Sequence, residues 1–370
     1  TRNHSSGFHR HYEKLTGQHF QKEMDAGATT CFGCVVRCRR KVKKADRGIS
    51  DSTGGPEFET LGMLGSNLDI TDAGAVALAN QKCAELGLDT ITTGGLIAWL
   101  MECREKGLIT AEQLDGIDLR FGDAESVLEM IDAMGRRIGI GRVLGEGFDA
   151  AAKVLGPETA ALAVHTKQQG YPVHMPQVKP SQAVIYATSP IGPDHMSSEH
   201  DWLLEAGGDD CFGLGISGSG DRYGTGMAKI RMTVMSQYYY SLLDSLCLCM
   251  FCWGPGNLFK YNEVAELVNA ATGNDWTFHE LMLVGQRRIH LMRRVNAARG
   301  FGRGEDRLAP RMFQPLVGGP SEGRRVDPAE FEKMLDSYYS MIGCDPATGH
   351  PTESKLAELG LEWTMDLTSW

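Results

Sequence analysis

The chain has 370 residues, of which 42% are hydrophobic and 23% are charged, and its formal net charge at pH 7 is −10. A chain of this length has ample core and usually divides into two domains, and no uninterrupted apolar stretch is long enough to cross a membrane. The basic residues are scattered apart from the segment 37–44, so the composition argues against a nucleic-acid-binding protein.

Helical periodicity dominates the pattern of apolar residues. In the first half, Asp72 is a suitable N-cap for an alanine-rich helix over 73–86, which Gly87 would end. Other helices are predicted around 11–25 and over 92–106, 124–138 and 142–155. The polar segment 39–55 is predicted to be irregular, and the best strand signal lies at 160–165.

The second half contains further helices, separated by loops that are rich in glycine and proline. Helices are predicted over 224–248, 262–272, 279–298, 327–342 and 352–359. The two long loops cover 169–220 and 300–323. The sequence therefore predicts a mainly α-helical protein, with one domain over 1–160 and a second domain over 161–370.

The densest group of soft metal ligands is Cys31-Phe-Gly-Cys34-Val-Val-Arg-Cys38. Three thiolates at the spacing Cys-x2-Cys-x3-Cys can converge on one point, which suits Zn²⁺ or an iron–sulfur cluster. From the spacing alone, a structural zinc site and free cysteines remain alternatives. A cubane cluster needs four thiolates, so this group requires a fourth ligand from elsewhere in the chain.

A second group of cysteines lies at the end of a predicted helix in the second half of the chain. It comprises Cys247, Cys249 and Cys252, and the run Trp253-Gly-Pro-Gly256 then prevents the helix from continuing. One of these three thiols is the natural fourth ligand for the first group. The chain has ten cysteines and no signal-like N-terminus, which favours a reducing, cytoplasmic location where thiols bind metals.

Five motifs occur in a characteristic order along the chain. They are the first cysteine group, Gly55-Pro-Glu57-Phe-Glu59-Thr60, Glu85-Leu-Gly87-Leu-Asp89-Thr-Ile, Tyr186-Ala-Thr-Ser-Pro and Asp244-Ser-Leu-Cys-Leu-Cys249. Together they resemble the two C-terminal, helical domains of the aldehyde ferredoxin oxidoreductase family, and the resemblance extends from Thr1 to Trp363. It implies that the β-rich N-terminal domain of that family, which supplies much of its pterin-binding surface, lies outside these residues. The two alternatives are that the chain is a fragment and that this domain is on another chain.

The resemblance implies two cofactors, a [4Fe–4S] cluster and a tungsten or molybdenum bis-pterin. Cys249 would join the first cysteine group as the fourth cluster ligand. Leu88 and Asp89 would hold one pterin, and Asp244 and Leu248 would hold the other. Both pairs lie at predicted helix C-termini, where unpaired carbonyls and a nearby carboxylate suit the N–H donors of a pterin. Simple capping of the two helix ends is the alternative.

Glu59 and His195 are the candidate acid–base residues. Glu57 and Glu59 are two residues apart, so an extended segment would place both on one face, and the family motif selects Glu59 as the residue near the metal. His195 matches the family's histidine near the metal, and a histidine that titrates near neutrality can transfer the proton released in hydroxylation. A structural role for His195 is the alternative. The nearby histidines without motif support are His165, His174 and His200.

The sequence departs from the family pattern at three positions. Ala84 stands where the first pterin motif usually has an acidic residue, and Ile191 and Ser197 stand where basic residues usually flank the histidine. Those basic residues can pair with pterin phosphates, so their loss would weaken anion binding by several kcal/mol unless other residues replace them. The candidates for replacement are Lys179, Arg222 and Lys229.

The leading functional hypothesis is the oxidation of an aldehyde to a carboxylic acid, with two electrons leaving through the cluster to ferredoxin or to an iron–sulfur electron-transfer subunit. The basic segment 37–44 would attract an acidic electron carrier, and a solvated turn is an equal alternative. A homo- or hetero-oligomer is expected. The alternative functions are an aromatic acyl-CoA reductase-type subunit and a non-catalytic iron–sulfur module that lacks the pterin.

Overall fold

The computed structural model describes residues 1–206, 211, 213–216 and 220–367. Two compact units are present, the first made of Thr1–Met175 and Ala309–Arg325 and the second of Pro176–Leu308 and Val326–Trp370. Helices dominate both units, which confirms the predicted fold class. Residues 161–175 and 309–325 belong to the first unit, and the domain division at residue 160 stays a prediction.

The first unit contains seven α-helices among its described residues. They are α1 (Gly17–Glu23), α2 (Phe58–Met63), α3 (Ala73–Leu86), α4 (Thr90–Glu105), α5 (Ala124–Arg136), α6 (Ile140–Leu144) and α7 (Phe148–Leu155). Shorter 3-10 turns lie at Tyr12–Leu15, Ala45–Arg47, Ser66–Leu68, Glu112–Leu114, Pro157–Leu162 and Pro310–Phe313. Helix α3 has the bounds that the sequence predicts, because the Asp72 carboxylate accepts from the first backbone N–H groups and Gly87 ends the helix with φ 70°.

Helix α4 is central to the core of the first unit. Its residues from Thr93 to Cys103 are buried, and the indole N–H of Trp99 donates to the Thr159 carbonyl at 2.7 Å. Gly94 allows α4 to pack closely on α2, because a Cβ at this position would lie 2.5 Å from the Met63 carbonyl oxygen. This close approach fixes the position of α2, the helix that carries Glu59.

Two short antiparallel strand pairs complete the first unit. Strand β1 (Asp25–Thr29) pairs with β2 (Arg39–Lys43), and β3 (His165–Thr166) pairs with β4 (Gln169–Gly170). Val42 is the one buried residue of the first hairpin. It packs into a small apolar cluster that is separate from the main core and that also contains Phe20, Met24, Ile49, Ala73 and Ala77.

The second unit consists of helices and loops in its described part. The helices are α8 (Pro180–Thr188), α9 (Trp202–Ala206), α10 (Met227–Ser245), α11 (Met250–Trp253), α12 (Tyr261–Thr272), α13 (Phe278–Ala298), α14 (Pro328–Ile342) and α15 (Glu353–Glu358), with a 3-10 turn at Glu362–Asp366. Helices α10 and α13 approach closely at Gly285, where a Cβ would lie 2.0 Å from the Tyr238 carbonyl oxygen. The buried Arg293 ties the unit together by bonding to the Asp306 carboxylate at 2.8 Å and to the Thr188 carbonyl at 2.7 Å.

Several predictions for short elements are wrong. The predicted strand at 160–165 overlaps the 3-10 turn Pro157–Leu162, and the segment 39–55, predicted to be irregular, contains β2. The predicted loop over 169–220 contains α8 and α9, and the predicted helix over 142–155 is broken at Gly147, whose φ is 97°. Such short elements depend on tertiary partners more than on local sequence. Within the described part of the chain, no helix is long and apolar enough to cross a membrane.

Candidate functional site

The first cysteine group forms the loop of the β1–β2 hairpin. Cys31 is exposed, and Cys34 and Cys38 are partly exposed. The loop is held by local bonds: the Cys34 N–H donates to the Cys31 carbonyl at 3.1 Å, and the Thr30 hydroxyl donates to the Cys31 carbonyl at 3.0 Å. The Arg40 guanidinium donates to the carbonyls of Arg37 and Cys38, each at 3.0 Å. These bonds fix the loop backbone while leaving the three thiols near the surface.

Four other cysteines contrast with these three. Burial raises the pKa of Cys83 and of Cys103 to about 12, and burial raises the pKa of Cys344 to about 11. Cys211 is also buried and its thiol lies 3.8 Å from the Leu203 carbonyl oxygen. Because a thiolate is the form that binds a metal, these four side chains are unsuited to metal binding, and the accessible thiols are suited to it.

The spacing of the loop sulfurs bears on the choice between zinc and a cluster. Among the described residues, the sulfurs of Cys31, Cys34 and Cys38 do not all lie within 4.8 Å of one another. Thiolates on one tetrahedral zinc ion would be about 3.8 Å apart, given the usual Zn–S length. In a cubane each thiolate binds a different iron, so the sulfurs stand farther apart. Both an iron–sulfur cluster and a single zinc ion therefore stay predictions for this loop.

The first pterin motif forms the turn between α3 and α4. Gly87 has a left-handed backbone, and the N–H of Leu88 donates to the Cys83 carbonyl at 2.8 Å. Asp89 is then the N-cap of α4, and its two carboxylate oxygens accept from the N–H groups of Ile91 at 3.0 Å and Thr92 at 2.7 Å. Leu88 is partly buried and Asp89 is exposed.

The second motif forms an equivalent turn between α10 and α11. Cys247 has a left-handed backbone with φ 57°, and the N–H of Leu248 donates to the Leu243 carbonyl at 2.9 Å. Cys249 is then the N-cap of α11. Burial also matches position by position: Cys83 and Leu243 are buried, and the following residues have the same order of exposed and partly buried side chains in both turns.

The equivalence pairs particular residues of the two turns. Gly87 corresponds to Cys247, Leu88 to Leu248, Asp89 to Cys249 and Ala84 to Asp244. In each turn the helix end and the N-terminus of the next helix come together, which gives a fixed set of backbone carbonyls and N–H groups. Both predicted pterin motifs therefore have the same backbone scaffold. Both cap helix ends, and their pterin-binding role stays a prediction.

Asp244 lies at the end of α10 in a charged environment. Its carboxylate is 3.1 Å from the Arg288 guanidinium. Burial raises the pKa of Asp244, Arg288 opposes this, and the nearby negative charge of Asp194 adds to the increase in pKa. Because Asp194 belongs to the His195 loop, the second turn and that loop are within electrostatic range of each other in the second unit.

Glu59 lies in the first turn of α2 and is buried. One of its carboxylate oxygens accepts from the Val173 N–H at 2.8 Å, and the other lies 3.1 Å from Nε2 of His174. The ring of Phe58 packs against the His174 ring, and the two ring centroids are 5.5 Å apart. The prediction of an extended segment is wrong, because Glu57 is the N-cap of a helix. His174, which had no motif support, is the histidine beside Glu59.

His195 lies in a loop that is shaped by the neighbouring Asp194. The Asp194 carboxylate accepts from the Met196 N–H at 2.9 Å and from the Ser197 hydroxyl at 2.7 Å. The His195 carbonyl oxygen lies 3.0 Å from Nε2 of His200, whose Nδ1 lies 2.8 Å from the Lys179 ammonium. Since an ammonium can only donate, Nδ1 accepts and Nε2 carries the proton that is donated to His195.

A second set of bonds fixes the residues after this histidine loop. Glu199 accepts from the His200 N–H at 2.9 Å, the Trp202 indole at 3.0 Å and the Tyr240 hydroxyl at 2.5 Å. Burial raises the pKa of Glu199 and of Tyr240. His200 and Glu199 thus hold the segment from both sides, and neither residue was singled out by a sequence motif.

The three basic residues proposed to replace the lost phosphate partners have different environments. Lys229 is buried and forms an ion pair with the equally buried Asp201, so it is unsuited to bind a phosphate. Arg222 lies 3.7 Å from the Glu205 carboxylate. Lys179 lies outside the histidine loop, but its ammonium is 2.8 Å from Nδ1 of His200, which belongs to that loop. Lys179 is therefore the candidate best placed to supply a positive charge near His195.

Comparison with known families shows to which family the chain belongs. Residues 1–361 match the family model described as aldehyde ferredoxin oxidoreductase, domains 2 and 3. The chain belongs to this family. The match begins before the cysteine loop and ends after α15, so it includes both turns, α2 and the histidine loop.

Curated members of the aldehyde ferredoxin oxidoreductase family resemble the chain over most of its length. A tungsten-containing aldehyde ferredoxin oxidoreductase of Pyrococcus furiosus is 32% identical over 336 residues, which is 90% of this chain and 52% of the relative. The enzyme of the same name from Thermococcus kodakarensis is 29% identical over 98% of this chain and 57% of its own length. The chain therefore spans about half the length of the curated relatives that it matches.

Two further matches are proteins with other names. A Pyrococcus furiosus protein named aliphatic sulfonate oxidoreductase, WOR-like subunit, is 28% identical over 89% of this chain and 50% of its own length. Among solved structures, the active site complex BamBC of benzoyl coenzyme A reductase with 1,5-dienoyl-CoA superimposes with a TM-score of 0.74. The two sequences are 18% identical, and the superposition covers 94% of the present chain and 55% of the BamBC chain. This likeness shows the fold alone.

Within the aldehyde ferredoxin oxidoreductase fold, the predicted site residues are divided between the two units. The cysteine loop, the first turn and Glu59 belong to the first unit: Cys31, Cys34, Cys38, Leu88, Asp89 and Glu59. The second unit contains His195, Asp244, Leu248 and Cys249, the last of which is exposed. The roles of all these residues stay predictions.

Proposed function

We propose that the chain is the cofactor-binding part of an oxidoreductase that converts an aldehyde and water into a carboxylic acid, two electrons and two protons. The observation that carries this proposal is the pair of equivalent turns, one in each unit, within a chain that also has an accessible three-thiol loop. A bis-pterin presents two similar groups, and two matching backbone scaffolds suit such a ligand. When bound, a tungsten or molybdenum bis-pterin supplies two-electron redox chemistry and water activation.

The chain's own residues would handle the protons and the electrons. Glu59 would accept a proton and pass it to the imidazole of His174, and its contacts with the Val173 N–H and with His174 support this role. His195 would have a similar role on its own loop, with its backbone fixed by His200. Cys249 would complete the ligand set of the [4Fe–4S] cluster, through which electrons leave one at a time.

A cavity lined by Phe58, the neighbour of Glu59 in α2, and by Val173 favours an aldehyde over a charged substrate. It has a volume of about 550 Å³, and Phe58 and Val173 are among its lining residues. No Asp, Glu, Lys or Arg is present among the described residues that line it, and its ionisable groups are the Thr1 amino group and the imidazoles of His4 and His9. Burial lowers the pKa of His4 to about 3. A cavity of this size and polarity suits an uncharged molecule with an apolar body.

The second candidate is an acyl-CoA reductase-type subunit, and the fold likeness to the benzoyl-CoA reductase complex favours it. A coenzyme A thioester carries phosphates that need basic partners, and the described residues that line the cavity at Phe58 and Val173 include no Lys or Arg. A non-catalytic iron–sulfur module is the third possibility. Because two of the similar proteins are named as a subunit and as a complex, we also propose assembly into a homo- or hetero-oligomer in the cytoplasm.

The decisive experiment combines elemental analysis with two assays of the purified protein. We expect about four irons for each chain, from cubane stoichiometry, together with tungsten or molybdenum and pterin. We also expect reduction of a viologen dye that depends on an aldehyde. Zinc without acid-labile sulfide would refute the proposal, iron and sulfide without pterin would favour the non-catalytic module, and dye-dependent reduction of an aromatic acyl-CoA without aldehyde activity would favour the second candidate.

A further inference from the structure

The segment from Arg37 to Lys43 forms a patch of positive charge, and the acidic residue across the strand pair is Asp25, which lies opposite Lys43 in β1. Its exposed basic side chains are Arg37, Arg39, Arg40, Lys41 and Lys43. Among the described residues, none of the five forms an ion pair, whereas Arg47, a few residues farther on, lies 2.6 Å from the Asp72 carboxylate. This concentration of positive charge occurs in a chain whose formal net charge is −10.

The tip of the same hairpin exposes apolar side chains. Phe32 is fully exposed and Val35 is 73% exposed, and both lie between the cysteines of the loop. Large apolar side chains in this position have no packing role in the first unit. The hairpin from Cys31 to Lys43, which we call the basic hairpin, therefore presents two apolar residues beside the thiols and a rim of cations behind them.

We propose that the basic hairpin is the docking surface for a small acidic electron-carrier protein. The proposal rests on the proposed function, because it takes the cysteine loop as the cluster site. An apolar centre with a charged rim is the usual anatomy of a protein–protein interface. The apolar tip distinguishes this partner from a phosphate ligand or a nucleic acid, which the cations alone would attract equally well.

The placement suits the electron-transfer step. Each docking event would move one electron from a cluster held by the loop thiols to the carrier, with no bond formed or broken, and two such events would remove the two electrons of one aldehyde oxidation. Electron carriers bind through small, short-lived interfaces, in which attraction between opposite charges mainly raises the rate of encounter. Because these cations are exposed, the attraction is screened by salt over a distance of about 10 Å at 0.1 M.

The first test measures binding without relying on activity. The probe is a small acidic [2Fe–2S] ferredoxin, titrated into the purified protein at about 50 mM and about 500 mM salt, which span weak and strong screening. We expect the Lys41→Glu/Lys43→Glu variant to bind about tenfold more weakly at low salt, with little difference at high salt. Both side chains are exposed and lie on one face of β2, so the substitution leaves the buried Val42 in place.

A matched variant controls for the change in net charge. Arg136 and Lys153 are exposed residues on α5 and α7, and Arg136→Glu/Lys153→Glu changes the charge by the same amount away from the hairpin. Its ferredoxin affinity should stay within about twofold of the unmodified protein. Equal weakening by both variants, or no weakening by the hairpin variant, would overturn the docking proposal.

The apolar tip gives an independent prediction. Phe32→Ser should weaken ferredoxin binding at both salt concentrations, because loss of apolar contact area is insensitive to ionic strength. A result in which Phe32→Ser binds ferredoxin like the unmodified protein would mean that charge alone attracts the carrier and that the hairpin tip is not the interface.

A kinetic test separates the docking proposal from the proposed function. Aldehyde oxidation is followed with the ferredoxin and, separately, with a viologen, which is a dication and should gain nothing from the basic hairpin. The Lys41→Glu/Lys43→Glu variant should reduce ferredoxin more slowly at low salt and viologen at an unchanged or higher rate. Equal rates with ferredoxin would overturn the docking proposal. Absence of aldehyde activity in every protein would refute the proposed function, and the binding titration would still decide whether the hairpin docks the carrier.

Discussion

The turn after α3 and the turn after α10 have the same backbone path but different side chains at the positions that matter for chemistry. Glycine takes the left-handed position in the first and Cys247 takes it in the second. Asp89 begins the next helix in the first, and Cys249 does so in the second. One hydrogen-bond pattern at a helix end therefore supports a carboxylate in one unit and a thiol in the other.

The helices on the C-terminal side of the two turns also differ. Helix α4 has sixteen residues and is buried along most of its length, whereas α11 has four residues and none of them is buried. The first turn is therefore anchored in the core by α4, and the second turn is anchored mainly by α10, which precedes it. This difference suits a rigid site in the first unit and a more adaptable one around Cys249.

The largest expected difference between the turns concerns iron. Cys249→Ala should remove the cluster iron and abolish aldehyde-dependent dye reduction, because a cubane needs four thiolates. Cys247→Ala changes a neighbouring exposed thiol and should leave the iron content unchanged. Iron and acid-labile sulfide analysis of the two purified variants checks this, and equal iron loss in both would contradict the assignment of Cys249.

The two close helix contacts should be similarly sensitive to added volume. Gly94→Ala pushes α4 against the Met63 carbonyl, and Gly285→Ala pushes α13 against the Tyr238 carbonyl. Each should lower the free energy of unfolding by about 1–3 kcal/mol, since backbone atoms cannot move aside as a flexible side chain can. Urea unfolding measures the change, and Gly304→Ala, which has open space around the added methyl group, is the matched control.

Removal of Asp89 tests whether the first turn has a capping role of its own. Asp89→Ala should lower the free energy of unfolding by about 1 kcal/mol, because two N–H groups at the start of α4 lose their acceptor. Asp89→Asn retains a good cap and should restore stability. If only the asparagine variant is stable while both variants lose pterin, the carboxylate has a separate binding role. Equal stability of the alanine variant and the unmodified protein would argue against capping.

The smallest expected effect comes from the left-handed residue of the second turn. Cys247→Gly removes the conformational penalty of a side chain at φ 57° and should raise the free energy of unfolding by at most about 1 kcal/mol. The reverse change in the first turn, Gly87→Cys, should lower it by a similar amount, and no atom lies within 4 Å of the added Cβ. Urea midpoints that move in the same direction in both variants would show that the turns are not equivalent.

Local signals were sufficient for some elements and insufficient for others. The bounds of α3 follow from Asp72 and Gly87, which cap the helix at each end. Strand β2 could not be recognised, because it is almost entirely basic and exposed and is defined by its pairing with β1. The six-residue α2 is too short for a periodic pattern, so the helical setting of Glu59 could not be predicted.

The candidate site shows the same limit. The motifs predicted Glu59 and both turns because those residues lie close together in sequence. His174 was only a rival candidate, since its contact with Glu59 joins segments far apart along the chain. Likewise, the bond from His200 to the His195 carbonyl depends on the fold of the loop, and no residue type at a fixed spacing announces it.

The attachment of the cysteine loop has a consequence for how the protein matures. The β1–β2 hairpin is joined to the first unit through Val42 and a small cluster outside the main core, so its local opening requires far less free energy than unfolding of α4. Backbone amides of the hairpin should therefore exchange with solvent much faster than those of α4 in iron-free protein. Iron and inorganic sulfide would then reach the three thiols without unfolding of α4.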